Sequence, residues 1–519
     1  MGTTTSFPTW SIASVTMMAC VVIGFEPGCR AQTTAASPTK PRSIAATPSE
    51  IWATAWRSVP KDEPLLVEMV RLEGSFVPGQ PNRAPDPNSL ALRTKNLPKG
   101  RAGVLWWRYA NSLFAYDGDV AKGGVASPWA DAASIELKKE WEPWLEAFER
   151  AGGRIDVLVG DCEQISKFTN WSISQSDVTT LMSDARALKP FRGAPPLRTL
   201  LGDADASKVK EAPQRNDYLA WNLALGRITA AAMNDAIFRP TVIQFPRVVG
   251  SNYDGVRMTD RPAPDLNGHA QPQDSIVGTH AAPSCYGRIE QVATAWFIDE
   301  ADPTRLARTG RDRITKDPWN AFLLDVQLAR ACRRSAPSVP LAPWIAQPAW
   351  TGDRGEVPYP SDRRMWDEMV RHIALCGTEF FHYWNPPEVL GSRVDIGFQQ
   401  RIADQCSRRL AGVLRDINTQ LNAPSLGPVQ QLITTDPLSY RAVIVTTGAL
   451  RGDGKYVWRT SARPGVQALQ DGKTGARVSL DEGTCGRWDI TDTANPPSYR
   501  PWPEGTAAPK RGASDSQTP

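Results

Sequence analysis

Histidine is scarce in this chain of 519 residues. There are four, at His269, His280, His372 and His382, and no two stand at the spacing of an H-E-x-x-H zinc helix. No metal site and no cofactor are expected. A glycine-rich phosphate loop is missing, and so is a G-x-G-x-x-G turn behind a strand, which removes the common nucleotide-binding motifs. There is no G-x-S-x-G nucleophile elbow. Excess charge of one sign is missing too: 59 Lys and Arg stand against 55 Asp and Glu, a net charge of +4. Without a basic stripe, nucleic acid is not an expected partner. Cysteine is sparse, with eight residues.

Long hydrophobic runs are limited to one, Trp10 to Phe25. It has the length of a signal-peptide core and is short for a membrane span. Ala31 precedes a plausible cleavage point, so residues 1–31 read as a signal peptide. The mature chain is then secreted or periplasmic, with no membrane span. The n-region has no Lys or Arg, which leaves a retained N-terminal anchor as the alternative. Six cysteines would remain: Cys162, Cys285, Cys332, Cys376, Cys406 and Cys485. That even number permits disulfides in an oxidising compartment, although the pairing is not readable.

Tryptophan is abundant: 19 residues against 10 Tyr and 14 Phe. Indole faces stack on sugar rings, and they also fill cores. The mean hydropathy of −0.36 fits a soluble globular chain, expected to be a monomer.

Residues 32–48 read as a flexible linker and residues 496–519 as a disordered tail. Between them, residues 49–423 alternate helix signals with apolar strands. Strands are predicted at 102–110, 154–159, 241–250, 339–346 and 379–384, with further ones near 66–72 and 275–279. Helices are predicted from Ser134 to Gly152, from Asp217 to Phe238, after Asp317, after Ser361 and from Phe398. Helix then strand, repeated, is the pattern of a parallel sheet with crossover helices. The expected fold class is α/β, a (β/α)8 barrel of the TIM type with long loops. Residues 424–495 change character and predict a small C-terminal antiparallel β module.

In such a barrel the working residues follow the C-terminal ends of strands. After 154–159 come Asp161 and Glu163. In an extended chain they share one side, and two carboxyls so close push one pKa up, which suits a general acid. A solvated loop end is the alternative. After 241–250 come Asn252, Tyr253 and Asp254. They read either as substrate contacts and a second carboxylate or as an Asp-Gly turn. After 339–346 comes Gln347, and 379–384 ends in Trp384 and Asn385. An aromatic there can floor a sugar site or plug the barrel mouth. Asp117 and Asp119, and Asp299 with Glu300, are rival acids.

These residues resemble the chitinase and hyaluronidase group of retaining glycoside hydrolases, in which a D-x-E pair ends one barrel strand and, in chitinases, a Y-D pair ends a later one. The resemblance implies Glu163 as proton donor and Asp161 as the carboxylate that steers a substrate acetamido group. It implies Tyr253 and Asp254 as the Y-D pair and Trp384 as a floor. Two positions depart from the family: Val159 stands where it has a third acidic residue, and Ser251 where it has Met. The implied function is a secreted glycoside hydrolase acting on a polysaccharide or glycan. A non-catalytic glycan-binding or cell-surface protein on the same fold is the alternative.

Overall fold

The computed structural model describes residues 50–56, 59–60, 62–71, 85–97, 102–108, 116–117, 125–126, 131–161, 188–190, 196, 199, 230–231, 233–253, 276–286, 296–299, 302–308, 318–346, 363–385, 396–422, 432–433 and 442–503. The chain divides into two units, Met1–Lys40 and Pro41–Pro519, and all described residues lie in the second.

The first part of that unit is built from short parallel strands. They are β1 (Trp52–Ala55), β2 (Leu66–Glu68), β3 (Val70–Arg71) and β4 (Val104–Arg108). After two short hairpin strands, β5 (Tyr116–Asp117) and β6 (Val125–Ala126), come β7 (Val157–Asp161) and β8 (Val249–Tyr253). A second hairpin, β9 (Trp296–Asp299) and β10 (Asp302–Arg308), precedes β11 (Trp344–Ala346) and β12 (Phe380–Trp384). Helices lie between the parallel strands: α1 (Pro87–Lys95), α2 (Asp131–Arg150), α3 (Arg239–Gln244), α4 (Pro318–Ser335) and α5 (Arg363–Ala374). The long helix α6 (Ile396–Leu421) follows β12.

The pairings run in one succession. β1 pairs with β2, and β2 continues through Met69 into β3. β3 pairs with β4, β4 with β7, and β7 with β8. The Gly250 carbonyl then accepts from the N–H groups of Thr279 and His280 at 2.9 and 3.0 Å. Ala281 and Ser284 bridge to Leu341 and Trp344, β11 pairs with β12, and β12 pairs back with β1. Every strand pairing and bridge in this succession is parallel. Helix α6 also returns to the start: Asn418 accepts from the Ile51 N–H at 2.8 Å and donates to the Ile51 carbonyl at 2.9 Å.

Local chemistry explains the element ends. Asp86 caps α1 by accepting from the N–H groups of Asn88 and Ser89, and Pro87 sits where no N–H is needed. Gly152, with φ +83°, stops α2 in the left-handed conformation that a side chain disfavours. Pro143 lies inside α2, as expected. Between Met233 and Gln244 the sequence expectation fails. The helix does not stop before Pro240. A π-helical turn (Asn234–Phe238) leads into α3, which takes Pro240 in its first turn, where its missing N–H costs nothing. The strand therefore begins at Val249, not Thr241, and Ser251, Asn252 and Tyr253 lie within it.

Two apolar cores pack these strands among the described residues. One gathers residues of the parallel strands at alternate positions: Trp52, Val67, Val104, Val157, Val159, Val249, Trp344 and Phe380. The other lies between those strands and their helices, with Phe322, Trp366, Met369, Phe381 and Leu414 among its members. Aromatic pairs are distributed along the first core: Trp52 on Phe380 at 4.9 Å, Trp344 on His382 at 4.3 Å, and Tyr286 on Trp384 at 5.8 Å between ring centroids.

The C-terminal region is antiparallel, as the sequence predicts. Strands β13 (Leu432–Ile433), β14 (Ile444–Leu450), β15 (Tyr456–Ala462) and β18 (Gly486–Thr491) form one sheet. Strands β17 (Arg477–Ser479), β16 (Ala468–Asp471) and β19 (Tyr499–Pro501) form a second. β19 falls inside the stretch expected to be a disordered tail. Tyr499 belongs there because its ring packs against the small core of Ile444, Ala462 and Leu469.

This module is joined to the helices by buried polar bonds. Arg459 of β15 donates to both carboxylate oxygens of Glu368 on α5, at 2.7 and 2.6 Å. Trp319 of α4 donates to the Ala442 carbonyl at 2.5 Å.

Candidate active site

The parallel strands bring their C-terminal ends into rows. Arg108 of β4 is the register partner of Asp161 on β7, and Asp161 is the register partner of Tyr253 on β8. Ala346 of β11 is the partner of Trp384 on β12. Two of the residues singled out in the sequence, Asp161 and Tyr253, thus stand side by side on neighbouring strands. Asn252 pairs with Gly160 one step below. Glu163, Asp254 and Gln347 lie outside the described residues, as do Asp119 and Glu300 among the rival acids.

Trp384 is half-buried and stacks on Tyr286. One indole face is thereby occupied within the protein. Asn385 is fully buried, and its amide donates to Ser407 of α6 at 3.3 Å. This bond turns it toward the helix and makes it a brace between β12 and α6. The rival Asp117 and Asp299 both sit on two-stranded antiparallel hairpins that do not pair with the parallel strands.

A polar chain that the sequence reading missed crosses the apolar interior just below these strand ends. His382 Nε2 lies 2.6 Å from Ser251 Oγ, and Nδ1 lies 2.8 Å from Thr54 Oγ1. The Phe381 carbonyl lies 3.4 Å from Thr54 Oγ1. The neutral ring donates from one nitrogen and accepts at the other, so both hydroxyl bonds are satisfied in either tautomer. Trp344 stacks on one imidazole face and Phe380 meets the ring edge-on at 5.1 Å. Ser251, His382 and Thr54 are all buried. Burial pushes the imidazole far below its ordinary pKa, so it is neutral. The only sequence signal for this chain is the polar residue at the inward step of Phe380-Phe381-His382-Tyr383-Trp384.

A close backbone approach keeps β8 against the next segment. A Cβ on Gly278 would lie 2.5 Å from the Gly250 carbonyl carbon, and Gly278 has φ +83°. Asn234 of the π-helical turn holds that segment, accepting from the Gly278 N–H at 2.8 Å and donating to the Ile276 carbonyl at 2.9 Å. Turns of this kind often stand beside functional strands.

Among the described residues, no group of three or more His, Cys, Asp or Glu is placed to hold a metal ion. The five described cysteines, Cys285, Cys332, Cys376, Cys406 and Cys485, are buried and form no disulfide with one another. No described helix is long and apolar enough to cross a membrane.

No family model matches the chain, and no curated protein matches it. Several solved structures align over most of its length. The catalytic domain of a GH30 xylanase C from Talaromyces cellulolyticus is 9% identical, over 82% of this chain and 84% of that one, with a TM-score of 0.26. A glycoside hydrolase family 5 protein from Bacteroides vulgatus is 10% identical, over 86% and 90%, with a TM-score of 0.30. A family 26 endo-β-1,4-mannanase from Cellulomonas fimi is 9% identical, over 86% and 89%, with a TM-score of 0.27. At these scores the superpositions do not establish a shared fold.

Proposed function

We propose that the chain is an exported glycoside hydrolase on a (β/α)8 barrel, acting on a polysaccharide or glycan, with Glu163 as general acid. The observation that carries this reading is the row Arg108–Asp161–Tyr253 at the C-terminal ends of three adjacent parallel strands. In a barrel that end is where catalytic groups collect. The barrel is supported by the succession of parallel neighbours that leaves β1 through β2 and returns to it through β12.

Glu163 follows Asp161 by two residues. It donates its proton to the leaving glycosidic oxygen. Asp161 steers the substrate acetamido group, or Asp254 stabilises the oxocarbenium-like centre directly. Tyr253, Asn252 and Gln347 bind the sugar, and Trp384 contributes an aromatic ring at the end of its strand. Asn385 acts behind them through Ser407. The enzyme works as a secreted or periplasmic monomer, with the signal peptide at residues 1–31 removed.

The test is Glu163→Gln, assayed by release of reducing ends from chitin, hyaluronan, xylan and mannan, with circular dichroism as the check on folding. Turnover falling by about 10³-fold or more in a folded variant is expected, the scale of losing a general acid together with its charge. Equal turnover in variant and wild type sinks the assignment.

One observation favours a second reading, a non-catalytic glycan binder. Val159, at the position of the family's third acid, is wholly buried in the apolar interior. Saturable binding of these polysaccharides with no reducing ends released at any pH distinguishes it.

A further inference from the structure

We infer that His382 is the positioning residue of this site: through Ser251, Thr54 and Trp344 it locks together the strand ends from which the sugar-binding residues project. The assignment of those residues to a sugar site rests on the reading above, whereas the bonds that define the lock do not.

One imidazole contacts three other strands. Its Nε2 lies 2.6 Å from the Ser251 hydroxyl of β8, its Nδ1 lies 2.8 Å from the Thr54 hydroxyl of β1, and its face lies on Trp344 of β11 at 4.3 Å. All of these residues but Thr54 lie within three positions before a candidate site residue. Ser251 precedes Asn252 and Tyr253, His382 precedes Trp384 by two, and Trp344 leads through Ala346 to Gln347. Ser251 and His382 are 131 residues apart in sequence, so nothing local holds these strand ends in common register. β8 and β12 are not hydrogen-bonded neighbours, and the Ser251–His382 bond spans the apolar interior between them. An apolar residue at 382 would fill the same space but could not specify one orientation of β8 against β12. A buried hydrogen-bond chain can, because any other arrangement leaves its donors and acceptors unpaired.

The experiment is hydrogen exchange on the full chain, wild type against Ser251→Ala, read in peptides covering 249–253, 380–384 and, as control, 444–462. Exchange faster by about tenfold or more at both strand ends, with the control unchanged, is expected from the loss of one buried bond. Equal acceleration everywhere, or acceleration confined to 249–253, overturns the lock. The same pair of proteins is titrated with chitohexaose. Weaker binding by the variant supports the link to the sugar site, and unchanged binding overturns it. If neither protein binds or cleaves any of the polysaccharides, the carbohydrate reading fails, and exchange still decides the lock. If Ser251→Ala does not fold, the wild-type imidazole spectrum decides through long-range proton–nitrogen couplings. A ring hydrogen-bonded at both nitrogens supports the lock, and a ring with a nitrogen that makes no hydrogen bond overturns it.

Discussion

His372 and His382 stand ten residues apart, on α5 and β12, and both imidazoles are wholly buried, yet their surroundings differ in kind. His382 lies among hydroxyls and aromatic rings inside the parallel strands, with no carboxylate in its hydrogen-bond chain. His372 lies in a charged seam between α5 and the C-terminal module. Its Nδ1 is 2.7 Å from Thr447 Oγ1 and its Nε2 is 2.9 Å from Ser461 Oγ. Ser461 donates its hydroxyl to Glu368 at 2.5 Å, so it accepts from His372, and the ring proton sits on Nε2. Glu368 also receives Arg459 and, at 3.0 Å, Arg371, which reaches Asp416 of α6 at 2.8 Å. The inner chain orients strand ends with neutral groups, and the outer seam fastens a whole module with charges. Burial alone would raise the Glu368 pKa, but Arg459 first, then Arg371 and Ser461, bring it down to about 2.

The comparison breaks most forcefully at Glu368. Glu368→Ala leaves the Arg459 guanidinium buried without its main counter-charge, although Asp481 still accepts from it at 2.6 Å. Such a loss costs about 3–5 kcal/mol. Urea unfolding followed by tryptophan fluorescence should show it, and a variant as stable as wild type would mean the seam does not hold the module.

Acid separates the region further. Burial takes His372 from 6.5 to about 3, against the pull of Glu368. A folded-state pKa below the unfolded one means that the unfolded chain binds protons first. Stability is then fully present above about pH 6.5 and is lost progressively toward pH 3. Glu368, lowered from 4.5 to about 2, adds a second loss across that lower range. His372→Gln should flatten the limb between pH 6.5 and 4.5 while leaving the Glu368 limb in place. A pH–stability curve identical to wild type would contradict the neutral burial of His372.

The smallest effect tests whether the two networks are separate. Their hydrogen bonds go to different residues, so Ser251→Ala and Ser461→Ala should add to within about 0.5 kcal/mol in a double-mutant cycle. A larger coupling would join the His382 lock to the module seam.

Much of the parallel region was legible in the sequence because its strands are continuous apolar runs between helix signals. Val104–Arg108, Val157–Asp161 and Phe380–Trp384 fall within or beside the predicted spans. The segment 281–285 escaped notice because Pro283 interrupts it and its ladder consists of isolated bridges. The strand at 249–253 was placed too early because Thr241-Val242-Ile243 has strand propensity, while tertiary packing against Trp141, which donates to Thr241 at 2.9 Å, keeps it helical. In the candidate site, Asp161 and Tyr253 were found through their place after apolar runs. His382 with Thr54, and Glu368 with Arg459, were beyond reach, since their partners lie 328 and 91 residues away and no local spacing marks them.

The central claim is that Asp161 and Tyr253 serve one active site, and a double-mutant cycle in kcat/KM on the glycan that wild type cleaves best tests it most directly. Asp161→Asn and Tyr253→Phe should each lower kcat/KM by about 10²-fold, and the double variant should lose little more than the worse single one, as groups acting as a unit do. Losses that multiply, or single variants that match wild type, would contradict the account.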